Sequence, residues 1–167
     1  MPTLVKRTQI MAWLDTTPAQ EVETWGLVGN KTNSLSYAYN PTVETEQSVV
    51  EDVANTDLNG YQIAIDGEMK CYFGDAVYDF INGLRYNLAI GDDAKTKVLL
   101  VDKYDFTGEG SSTTFKAQIF ECVVSVNAYG GDGGTTPTLS YSIGISGNPT
   151  NGTVTISGGT PSFTAEV

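Results

Sequence analysis

The chain has 167 residues, with 9 Lys and Arg against 20 Asp and Glu, a net charge of −11 and an isoelectric point near 4.2. Proteins that grip nucleic acid by its phosphates present patches of Lys and Arg, so this balance argues against that class. There is no histidine, which removes the commonest general base and metal ligand and excludes Ser-His-Asp and Cys-His nucleophile systems.

Residues 1–22 lack a sustained period and read as an N-terminal arm with a short ordered piece around Ile10–Leu14. Their apolar stretch is too short for the core of a signal peptide. "TWGLVG" (24–29) and "SLSYAY" (34–39) read as strands joined by the turn chemistry of "GNKTN". A long loop, residues 40–60, separates them from the next strand. From Asn40 to Gln62 there are five acidic residues, Glu44, Glu46, Glu51, Asp52 and Asp57, and no Lys or Arg. A loop this long without structure of its own is usually functional or disordered. Val43, Val49, Val50, Val53 and Leu58 speak for function, because disordered segments are poor in such residues.

"YQIAIDGEM" (61–69) alternates. Tyr61, Ile63, Ile65 and Met69 form an apolar face, and Gln62, Ala64, Asp66 and Glu68 a wet one. Residues 74–87 read as the single convincing helix, with Asp75 as its cap and an apolar stripe from Ala76, Val77, Phe80, Ile81 and Leu84. Residues 96–106, 113–129, 138–146 and 152–157 read as strands. The 113–129 strand is apolar on both faces from Ile119 to Val126, apart from Glu121 and Ser125, as suits a central position or one against another subunit.

Candidate chemistry is thin. "GEG" (108–110) and "GGDGG" (130–134) lack the spacing of a phosphate-binding fingerprint. "GDD" (91–93) matches no calcium loop and reads as a solvated turn. Among 20 acidic residues some pair always lies at a glycosidase-like spacing, so that signal is nearly empty. Cys71 and Cys122 are too few for a structural zinc site, and they read as free thiols unless the fold joins them. No apolar run approaches the ~20 residues of a membrane span.

The order of elements, with "YAYNPTVETEQSVVED", "NGYQIAIDGEMKCYFGDAVYDFI" and "SGNPTNGTVTISGGTPSFT", resembles the major tail protein (tail tube protein) of long-tailed bacteriophages over most of the chain. The resemblance implies a mainly β fold, a β-sandwich or partly closed barrel with one flanking α-helix, an extended N-terminal arm and a long inter-strand loop, all in one domain over 1–167. It implies a structural virion protein, not an enzyme, with no cofactor, catalytic residue or metal site, assembled in the host cytoplasm into hexameric rings stacked as a tube. It makes Thr42, Val43, Glu44, Thr45, Glu46, Val49 and Val50 the inter-ring contact and Gln62, Asp66 and Glu68 the lumen wall. The implied partners are further copies of the chain, tail tip, tape-measure and terminator proteins, and double-stranded DNA that passes without specific binding. Readings from other classes are the tube of a contractile tail or secretion system and a surface-displayed immunoglobulin-like binding module.

Overall fold

The computed structural model describes residues 1–167, Asn33 by its backbone alone. Ten strands and one helix follow in chain order. They are β1 (Ile10–Asp15), β2 (Trp25–Val28), β3 (Thr32–Ala38), β4 (Pro41–Glu46), β5 (Asn55–Tyr61), β6 (Ala64–Lys70), α1 (Ala76–Asn87), β7 (Lys95–Thr107), β8 (Thr114–Gly130), β9 (Thr138–Ser157) and β10 (Thr160–Ala165). The fold is mainly β, a curled half-barrel sheet with one helix. Strand order across the main sheet is β2-β1-β7-β8-β9-β6-β3, with β10 also on β9, and β4-β5 form a separate two-stranded ribbon. Every pairing is antiparallel.

The expected arm is therefore shorter than 1–22. "IMAWLD" is β1, paired to β2 on one side and β7 on the other. It buries both faces: Ala12 and Leu14 enter one apolar cluster and Trp13 another. That removes the alternation by which a strand is recognised. The loop at 40–60 is likewise not structureless. Pro41–Glu46 pairs with Asn55–Tyr61, leaving an eight-residue tip, and the register shifts between Thr42 and Val43.

The larger cluster lies beneath α1. It joins Val77, Tyr78 and Ile81 of the helix to Ile65 and Met69 of β6, Phe120, Cys122 and Val124 of β8, and Leu139, Tyr141 and Ile143 of β9. Asp75 caps the helix, its carboxylate accepting from the Tyr78 N–H at 3.0 Å and from Asn30 Nδ2 at 3.0 Å. The helical stripe is rotated slightly from expectation: Tyr78 is buried, Phe80 and Leu84 are half-buried, and Ala76 is exposed. The smaller cluster occupies part of the opposite face, with Trp13, Leu99, Val101, Ala117 and Val154 at its centre and Phe163 of β10 against it.

β9 was expected as two strands and is one of 20 residues. Its register against β8 jumps from Ser146↔Glu121 to Thr150↔Ile119, so Gly147–Pro149 form a bulge outside the ladder. A proline without an N–H is tolerated there. β10 follows through Gly158 and Gly159, at φ 58° and 81°. Two central residues at positive φ make the turn whose twist matches a tight hairpin. β8 is central, but one face carries most of its burial: Phe120, Cys122 and Val124 are buried, whereas Glu121 and Ser125 are exposed. Cys71 and Cys122 are free thiols. No helix among the described residues is long and apolar enough to cross a membrane.

Candidate functional site: a protruding hairpin and a polar sheet face

Two surfaces stand apart from the core. The first is the β4–β5 hairpin, in which Thr42, Val43, Glu44, Thr45, Glu46, Val49 and Val50 are all exposed. With no buried face, the ribbon depends on cross-strand side-chain pairs. The Thr45 and Thr56 hydroxyls lie 3.2 Å apart, and Asn59 Nδ2 donates to Glu44 at 3.0 Å. At the tip, Gln47 Nε2 donates to the Glu51 carbonyl at 2.9 Å, and the Glu51 carboxylate accepts from the Ser48 N–H and from Asn55 Nδ2, each at 3.3 Å. The tip is thus held in shape while Val49 and Val50 are 103% and 87% exposed. Removing such side chains from water is worth about 1.5–3 kcal/mol each, which favours a partner surface.

The second surface is the face of β3, β6, β9 and β8 that points away from α1. Period-two alternation sends Ile65 and Met69 to the core and Asp66 and Glu68 outward, and both carboxylates are exposed. The register sets Ser36, Asp66, Ser142 and Ser125 in one row across four strands, and Ser34, Glu68 and Ser140 in the next. The rows are hydrogen-bonded laterally. Ser142 Oγ donates to Asp66 Oδ1, Asn127 Nδ2 donates to Ser142 Oγ at 3.2 Å, and Ser140 Oγ donates to Glu68 Oε2 at 3.2 Å. Lys70 sits at the far end of the β6 row, beside Thr138. The middle of this face offers short hydroxyls and carboxylates. It can hold water and repel anions, and it lacks the cations a phosphate would seek.

Gln62 does not belong to that row. β5 ends at Tyr61 and β6 starts at Ala64, so the expected strand 61–69 is broken. Gln62 instead closes the neck of the hairpin: its N–H donates to the carbonyls of Tyr39 and Asn40 at 3.1 and 3.2 Å, and its carbonyl accepts from Asn40 Nδ2 at 3.0 Å. Tyr61, expected on the core face, is exposed and meets Tyr39 edge-on at 6.2 Å. Ser140, Ser142 and Asn127 were not singled out from the sequence, although the alternation in "SYSIGIS" carries Ser140 and Ser142 in plain view.

A half-barrel with one helix, a free ribbon at one end and a polar, acidic face opposite the helix defines a class of fold. No family model matches the sequence, and no curated protein does. Among solved structures, the chain is similar to one from the tail of an empty GTA (gene transfer agent) particle, determined with helical refinement and C6 symmetry. The likeness has a TM-score of 0.60 at 12% identity and covers 97% of this chain and 100% of that one. At that identity the shared property is the fold.

Proposed function

We propose that this chain is a structural subunit of the tail of a phage-like particle, closing into six-membered rings that stack into a tube through which double-stranded DNA passes. The observation that carries the reading is the full-length similarity to a chain in a C6-symmetric tail. In this reading β4–β5 is the ring-stacking element, with Thr42 to Glu46 on its shaft and Val49 and Val50 at its tip. Asp66 and Glu68 face the lumen. Six copies at −11 give about −66 per ring, and a like-charged wall keeps DNA sliding rather than sticking. The sheet's free edges at β2 and β3 supply sites for neighbours around the ring. The role requires no catalysis and no cofactor. It places the chain in the virion tail, after assembly in the host cytoplasm, in contact with the tail tip, tape-measure and terminator proteins.

The test is electron microscopy of the purified protein, intact and with Thr42–Gly60 replaced by a Gly-Gly turn. Pro41 and Tyr61 are register partners, so the shortened chain can still close its neck. The intact protein is expected to form tubes, and the deletion variant folded rings or monomers without tubes. Tubes of normal length from the deletion variant would refute the role of the hairpin, and an intact protein that stays monomeric at high concentration would refute the tube itself. For the lumen, Asp66→Lys with Glu68→Lys should leave tubes intact and slow DNA ejection in a salt-dependent way. Normal ejection through tubes containing the double variant would overturn that assignment.

A further inference from the structure

The curled sheet does not close. Among the described residues β2 pairs only with β1 and β3 only with β6, and a groove of about 460 Å³ runs along the open seam between them. Ile10, Met11, Leu27 and Leu35 give it apolar walls, and Arg7 and Lys31 line it without any Asp or Glu. Lys6 lies next to Arg7 in sequence, and the Lys70 N–H donates to the Lys31 carbonyl at 3.3 Å. Two of the chain's nine basic residues, Arg7 and Lys31, therefore line this seam in a molecule with 20 acidic ones, and Lys70 stands beside it through its backbone bond to Lys31. Among the described residues these three form no ion pair, whereas Lys95, Lys97 and Lys116 each do. Arg7 is fixed in place: it donates to the carbonyls of Ile10 at 2.6 Å and Leu35 at 3.1 Å and lies 5.9 Å from the centre of the Tyr37 ring. A guanidinium bound to carbonyls keeps its whole charge for an outside anion.

The hairpin has the opposite character, with five acidic side chains, no basic one, and exposed valines at its tip. It leaves the sheet at the C-terminal end of β3 and the N-terminal end of β6, and the groove reaches the other end of β3, at Lys31 and Thr32. Surfaces that complement each other from opposite ends of one strand pair cannot meet within a chain. They meet when one copy stands behind another, a heterologous contact that propagates without closing. A ribbon of six to seven residues per strand reaches about 20 Å beyond its root, enough to cross into a neighbour.

We infer that the seam groove between β2 and β3 is the receptor for the hairpin tip of a second copy of this chain, with Val49, Val50 and Val53 on its apolar walls and Glu46 and Asp52 facing Lys31 and Lys70. The inference rests on the tube reading and names the surface that the hairpin engages.

The experiment is charge reversal on each side and on both. Glu51 is left alone because its carboxylate holds the tip together. Lys31→Glu with Lys70→Glu, and separately Glu46→Lys with Asp52→Lys, are each expected to abolish tubes while circular dichroism and melting stay near the parent. A chain carrying all four changes is expected to regain tubes. A second arm places Leu27→Cys and Val50→Cys in one chain. In a Cys71→Ser background, oxidation across the contact gives an open ladder of covalent multimers on a denaturing gel, and either added cysteine alone gives none. Rings that stack normally in both reversed variants, loss of tubes without rescue in the fourfold variant, or a cysteine product that stops at a dimer overturn the seam as receptor. An unaltered protein that forms neither rings nor tubes overturns the tube reading itself, and the seam assignment with it.

Discussion

Gly67 sits inside β6 on the core face, between Asp66 and Glu68, with Leu35 on one side and Tyr141 on the other in register. A methyl group added at Gly67 would stand 2.7 Å from Tyr141 Oη, 2.8 Å from its Cζ and 3.0 Å from Leu35 Cδ1. Tyr141 is fully buried, so its ring cannot swing aside. Overpacking of this kind costs about 1–3 kcal/mol, and a gain of about 0.4–1 kcal/mol from stiffening the unfolded chain offsets part of it. Gly67→Ala is expected to lower stability by about 1–2 kcal/mol, roughly 2–8 °C in melting temperature for a chain of this length. The closest of these contacts is to a hydroxyl that is buried with no hydrogen-bond partner. Removing such a group is nearly neutral or stabilising. Tyr141→Phe should therefore melt at or above the parent temperature, and the double variant should lose less than the sum of the single changes. Scanning calorimetry on the four proteins measures this cycle. A Gly67→Ala protein as stable as the parent, or a Tyr141→Phe loss above about 1 kcal/mol, would refute the packing described and give the hydroxyl a partner.

Ile81→Ala should cost about 2–5 kcal/mol in chemical denaturation because Ile81 is fully buried under α1; half-buried Phe80 should cost less than Ile81, and the reverse order would mean that the helix is rotated. Asp75→Ala removes the cap of α1 and the bond to Asn30, with an expected loss of about 0.5–2 kcal/mol by the same assay. Burial pushes the Cys122 thiol up from 9.0 to about 12. The unfolded thiol ionises first as pH rises, so its contribution to stability is whole below pH 9 and is lost between pH 9 and about 12. Cys122→Ala should flatten the alkaline limb of a plot of stability against pH, and an unchanged slope would show that the thiol is not the group responsible.

What could be read from the sequence followed burial on one face. α1 announced itself through Asp75 and its apolar stripe, and β6 through the alternation of Ile65 and Met69 with Asp66 and Glu68. β1 hid because Ala12, Trp13 and Leu14 are buried on both faces, which erases period two and leaves an apolar run that reads as an arm. β4 and β5 hid for the opposite reason, having no buried face to mark. β9 looked like two strands because "GNPTNG" carries turn residues, and here they serve a bulge within one ladder. β10 had a usable signal in Gly158-Gly159, a pair suited to a two-residue hairpin turn. The hairpin was legible as a segment of unusual length and charge, but the groove proposed to receive it was not. Arg7, the turn from Leu27 to Lys31, and Leu35 of β3 meet there only through the curl of the sheet.

The strand order also sets a timetable. β7, β8, β9 and β10 follow one another as neighbours, so the C-terminal half can zip up from contacts close in sequence. The N-terminal half pairs β1 with β2, β4 with β5 and β3 with β6, but these pieces are joined only through the second half: Ile10 waits for Asp102, and Ala64 waits for Gly144. During synthesis the first half leaves the ribosome with β1 and β6 lacking those partners, and long-range pairing of this kind is slow and exposed to aggregation. The seam, which needs β1 and β3 at their final curvature, is therefore among the last features to form. If the seam receives the hairpin as proposed, a chain that is still unfinished has a hairpin to offer but no place to receive one, which would restrain premature polymerisation until the subunit is complete.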